Sequence, residues 1–96
     1  MFIVTVTFEV SPPQLQAFRD AMQTQAKNSL ELEAECHQFD VCYDSVDSAK
    51  CFLYEKYADR AAFDKHLASD HFKQFDLTVG PWIVSKSVQT WIQESA

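Results

Sequence analysis

His37, Tyr54, His66 and His71 are the side chains in this sequence best suited to moving a proton near neutral pH. His66 follows Phe63 by three residues and precedes Leu67, which turns it toward the apolar side of a helix. His71 falls in the first turn of the next helical segment, where the helix N-terminus favours the neutral imidazole. In the strand before these, alternation puts His37 on one face with Phe39 and Val41, toward the helices. If Val41 pairs with Phe52 in the following strand, Tyr54 lies opposite Phe39, and Cys42 lies opposite Cys51. On that register His37, Tyr54 and His66 converge on one cavity under the helices. Glu55, between Leu53 and Tyr57, is then expected on the other face, paired with a cation or a backbone donor across a subunit interface. No metal site is expected, because His66 and His71 are five residues apart and His37 is remote. The sequence has no GxSxG nucleophile, no glycine-rich phosphate loop (its single glycine is Gly80) and no dinucleotide fingerprint. An enzyme built this way must rely on its substrate's own reactivity and on one or two acid–base groups.

The elements that must position these residues are readable from periodicity. Phe2, Val4, Val6, Phe8 and Val10 alternate with Ile3, Thr5, Thr7 and Glu9 over Met1 to Val10, the pattern of a strand with one strongly apolar face. Ser11, Pro12 and Gln14 have the form of a capping box. They precede a helix whose stripe runs through Leu15, Phe18, Met22, Ala26 and Leu30. Cys36 to Tyr43 and Lys50 to Tyr57 read as a hairpin around the polar turn Asp44 to Ala49. Asp59 caps a helix bearing Ala62, Phe63, His66 and Leu67. Ser69 or Asp70 caps another bearing Phe72, Phe75 and Val79, which Gly80-Pro81 ends. Ile83 to Ile92 is a fourth strand. This order predicts one α+β domain over residues 1–96, a ferredoxin-like four-stranded antiparallel sheet with its helices on one face. Ile3, Leu53, Tyr57, Ile83 and Trp91 are expected on the uncovered face, which predicts a homodimer packed sheet to sheet.

Composition narrows the class of function. Hydrophobic residues make up 47% of the 96 residues and eight of them are Phe, more than one small core needs. The formal charge of −6, with its eight Lys and Arg scattered, argues against a nucleic-acid or anionic-membrane partner. No stretch has the length of a membrane span or the form of a signal peptide, so a cytoplasmic protein acting on a small molecule is expected. Three cysteines without CxxC spacing are read as reduced strand residues.

Four blocks carry a resemblance: Cys36-His37-Gln38-Phe39-Asp40-Val41, Tyr54-Glu55-Lys56-Tyr57, Ala62-Phe63-Asp64-Lys65-His66-Leu67 and Ser69-Asp70-His71-Phe72. With the opening strand and Pro12-Pro13, they resemble the antibiotic biosynthesis monooxygenase family along nearly the whole chain. Glu35 departs from the Gly many relatives carry before the second strand. The resemblance implies a dimeric α+β barrel, often exchanged at its last strand, and oxidation of a phenol or quinol by oxygen without metal or flavin. In that chemistry His66 would be the base, with Tyr54 and His37 orienting the ring oxygens. Phe39, Phe75 and Trp82 would line an aromatic slot that Glu55 and His71 adjoin. Haem-degrading relatives use an Asn, a Trp and a His where this chain aligns Val6, His66 and Asp76, so the axial His is missing and haem degradation is not implied. A related isomerase of phosphorylated autoinducer-2 shares the Phe-Asp-Val and Tyr-Glu-x-Tyr blocks. Its phosphate would fall to Lys56, Lys65 or the helix start at Ser69 to His71. A non-catalytic small-ligand-binding dimer is the third reading.

Overall fold

The computed structural model describes residues 1–94. Four strands, β1 (Phe2–Val10), β2 (Cys36–Tyr43), β3 (Lys50–Tyr57) and β4 (Ile83–Ile92), form one antiparallel sheet in the order β2-β3-β1-β4. Three helices, α1 (Leu15–Leu32), α2 (Arg60–Ala68) and α3 (Asp70–Val79), cover one face. This is the predicted ferredoxin-like α+β fold. The alternation of β1 decides which face is covered: Phe2, Val4, Val6, Phe8 and Val10 are all buried against the helices. Phe18 and Met22 of α1 meet them and are wholly buried, with Phe18 edge-on to Phe8 at 5.4 Å between ring centroids. Truncating Phe18 to Ala would cost about 3–5 kcal/mol.

Local chemistry sets the boundaries and corrects several expectations. Ser11 makes no side-chain cap; Pro12–Gln14 form a short 3-10 turn, and α1 begins only at Leu15. The buried stripe of α1 continues through Gln25, Ala26 and Ser29, whereas Leu30 is exposed. Asp59 caps α2 by accepting from the Ala62 N–H at 2.8 Å, as predicted. Ser69 ends α2 and starts α3: extended at ψ 149, it accepts from the Phe72 N–H and donates to the His66 carbonyl.

The hairpin register differs from the expected one by a single residue. Asp44 accepts from the N–H groups of Val46 and Asp47, and this turn sets Tyr43 opposite Cys51 and Val41 opposite Leu53. Because strand side chains alternate with period 2, that slip reverses every residue of β3. Leu53, Glu55 and Tyr57 face the helices, and Phe52 and Tyr54 face away. Cys42 therefore lies opposite Phe52, exposed, while Cys51 is buried. Ile83 also joins the core side, because a register shift after Glu9 pairs it with Val10. Ile3 and Trp91 do lie on the uncovered face, and the Trp91 indole N–H donates to Thr5 Oγ1 at 3.0 Å.

Candidate functional site

Glu33 was not singled out in the sequence, yet it ties the site together. It is the residue that ends α1, and its side chain reaches the junction of α2 and α3. The Nδ1 of His66 stands 2.8 Å from Glu33 Oε2, and the Nε2 of His71 stands 2.6 Å from the same oxygen. With Glu33 ionised and the imidazoles neutral, both rings donate N–H bonds to that oxygen, which fixes their tautomers and leaves His66 Nε2 and His71 Nδ1 as the free basic nitrogens. Five residues along one continuous helix would separate the histidines by well over a right angle. The break at Ser69 removes that constraint and brings their rings to 6.0 Å.

His66 is buried, at 3% exposure, among Phe39, Tyr57, Phe63 and Phe72, whose ring centroids lie 5.1–6.2 Å from its own. Burial lowers its pKa, and the hydrogen bond and charge of Glu33 only partly oppose this. Beneath it, the Tyr57 hydroxyl donates to Glu55 Oε1 at 2.6 Å. Desolvation pushes the Glu55 carboxyl up to about 7, against the lowering effect of that hydrogen bond. Burial likewise pushes the nearby Cys36 thiol up to about 12, with the charges of Glu33 and Glu55 adding to it.

A cavity of about 450 Å³ opens beside this cluster, lined by Glu33, Glu35, Cys36, Ala62, Lys65 and His71 among others. His71 also lines a groove of about 220 Å³ between α1 and α3, with Gln25 and Phe75. Gln25 Nε2 and Ser29 Oγ are buried without a protein hydrogen-bond partner. They lie about two turns and one turn before Glu33, respectively, on the inner side of α1.

Of the residues predicted for the site, the structure gathers His66, His71, Phe39 and Glu55, and it places Phe75 in the adjoining groove. Tyr54 is not among them: the register of β3 turns it to the uncovered face, beside Ile3, Thr5 and Trp91. His37 is exposed at a bulge, where Cys36 pairs with Tyr57 and Gln38 with Lys56, so it falls out of alternation with Phe39. Trp82 packs near the Val10 end of β1, its carbonyl accepting from the Ser11 N–H. His66 neighbours Phe63, whose ring packs tilted against Phe2 at the other end of that strand, about 27 Å away at strand rise. Glu55 is buried and faces the helices, not the uncovered face on which it was expected. The signal for Glu33 was the α1 stripe: Phe18, Met22, Ser29 and Glu33 recur at helical spacing, and an acid closing a buried stripe needs a partner.

A sheet of this topology, with an acid–base cluster where its helices meet, defines a ferredoxin-like α+β protein with a pocket on its helix side. The chain belongs to the antibiotic biosynthesis monooxygenase family, whose sequence profile matches residues 1–76. It is 35% identical over 66 residues to the Mycobacterium tuberculosis protein named "Putative monooxygenase Rv0793", a match covering 69% of this chain and 60% of that relative's length. The solved structure of that relative superposes with a TM-score of 0.90 at 22% identity, covering 99% of this chain and 96% of the other. A family structure from Nitrosomonas europaea superposes with a TM-score of 0.94 at 22% identity, covering 99% and 100%. No helix among the described residues is long and apolar enough to cross a membrane.

Proposed function

We propose that this protein is a monooxygenase acting on a small electron-rich phenol or quinol, with the Glu33-linked histidines as its base, and that it works as a homodimer. The observation that carries the reading is the shared Glu33 oxygen. One carboxylate holds two imidazoles by their N–H groups, so that each ring, when neutral, presents a free lone pair on its other nitrogen. His71 is the histidine that lines the cavity, and His66 lies behind Glu33. We therefore assign proton removal to His71 and give His66 the role of holding the carboxylate in place.

In this reading a ring hydroxyl loses its proton to His71, and the resulting anion gives an electron to oxygen. The two radicals combine at a ring carbon. The O–O bond then breaks, so that one oxygen atom becomes a ring carbonyl and the other leaves as water with the hydrogens the ring has lost. The substrate supplies every electron, and the protein supplies orientation, desolvation and the base. The Gln25 amide, buried and without a partner at the groove His71 shares, is suited to donate to a ring oxygen.

Oxygen uptake with a panel of hydroquinones and naphthohydroquinones tests this. His71→Gln and Glu33→Gln should each lower turnover by about 10²–10⁴ at unchanged fold. No uptake above the uncatalysed rate, or uptake unchanged in Glu33→Gln, would overturn it. The autoinducer-2-phosphate isomerase reading has one observation in its favour: Lys65 in the last turn of α2 and Ser69 at the start of α3 line the same cavity and could meet a phosphate. Isomerisation of a phosphorylated dione without oxygen uptake would support it, and saturable binding without turnover would support a ligand-binding dimer.

A further inference from the structure

The donor set of Glu33, His66 and His71 can also hold a metal. A carboxylate oxygen, the His66 Nδ1 or Nε2 and a His71 ring nitrogen all lie within 4.8 Å of one another. Two imidazoles and one carboxylate, brought by three separate elements, form the set that binds borderline first-row divalent ions while leaving a position open. The expectation of no metal site rested on the five-residue spacing of the histidines, and both the break at Ser69 and the arrival of Glu33 from α1 remove its basis.

We propose that Glu33, His66 Nδ1 and His71 Nε2 bind one zinc-type divalent cation, with its open position facing the 450 Å³ cavity. Both ring nitrogens already aim at one carboxylate oxygen, at 2.8 and 2.6 Å, so the three groups share a focus. Metal–donor bonds of about 2.0–2.1 Å set the donor atoms roughly 3.4 Å apart, so on binding the nitrogens, now within 4.8 Å, come to that spacing while each nitrogen–oxygen separation lengthens from 2.6–2.8 Å. Each imidazole moves its N–H to its other nitrogen, so two neutral histidines and one carboxylate leave a net charge of about +1 on a divalent complex. Glu35 lines the same cavity and favours a cation there; Lys65 opposes it.

Occupancy has a consequence that rests on the oxygenase reading. The cation takes the carboxylate that positions the base, so metal binding and base-driven turnover exclude one another. Binding itself is measured without substrate, so its failure and the failure of the oxygenase reading are distinguishable.

The test is titration of Co²⁺ into chelator-stripped protein, read by its visible d–d bands, followed by displacement with Zn²⁺ and calorimetry. One equivalent should bind in the micromolar range, and Glu33→Gln and His71→Gln should each weaken it at least tenfold while circular dichroism stays native. His66→Gln should do the same where it folds; the other two variants carry the test without it. Binding no tighter than millimolar would overturn the proposal. So would a band of thiolate character that survives in Glu33→Gln and His71→Gln, which would place the ion on the cysteines instead.

Discussion

Glu55 is a carboxyl buried to 3% exposure whose one side-chain hydrogen bond comes from Tyr57, and the cost of ionising it there makes it a pH-dependent term in stability. Its pKa is raised from 4.5 to about 7, so its contribution is complete below about pH 4.5 and is lost as pH rises through about 7. His66 runs the other way: its lowered pKa gives stability that is present above 6.5 and lost as pH falls below it. Comparison of wild type with Glu55→Gln cancels the His66 effect. Between pH 4.5 and pH 8 the difference in urea-unfolding free energy should move toward the variant by on the order of 3 kcal/mol. A difference that stays flat across this range would mean that Glu55 remains ionised in the fold. At this scale the sequence was legible where side chains repeat with a period. His66 and Phe39 were placed correctly because one lies on a helical stripe and the other within an alternating strand. The α1 stripe marks Glu33 as an acid in need of a partner but does not name the partner, because His66 and His71 come from chain segments more than thirty residues away.

The elements themselves were legible almost to their ends, whereas register was not. Helix and strand limits follow from caps, prolines and periodicity, but the hairpin register depends on how the Asp44 turn closes, and one residue decides the face of everything after it. Tyr54 and Glu55 exchanged faces for that reason, and the bulge at His37 moved a third candidate out of the site. The thiols report this register chemically. Cys42 is exposed on β2, while Cys36 and Cys51 are buried and burial pushes both up to about 12. Ellman's reagent should therefore modify one thiol promptly in the native protein and the other two only on unfolding, with no disulfide between Cys42 and Cys51. Two fast-reacting thiols would indicate the alternative pairing.

At the scale of the molecule, the sheet face away from the helices carries Phe52 at 41% and Trp91 at 51% exposure, around a shallow depression with Ile3, Thr5 and Tyr54. That face is where we place the proposed dimer contact, in the position of the one predicted from Leu53, Glu55 and Tyr57 but made of different residues. Wild type should sediment as a dimer at micromolar concentration, and Phe52→Glu should shift it toward monomer with its circular dichroism unchanged. A monomeric wild type would remove the dimer from the proposal. The sheet order has a further consequence, in time rather than in space. β1 lies between β3 and β4, so it pairs with strands from the middle and the far end of the chain. Closing those long loops is entropically slower than zipping the β2–β3 hairpin, so the hairpin is expected to form early and the β1–β4 ladder to govern the folding rate. During synthesis the apolar first strand thus waits with one edge unpaired until the fourth has emerged, an interval in which this chain is most open to aggregation.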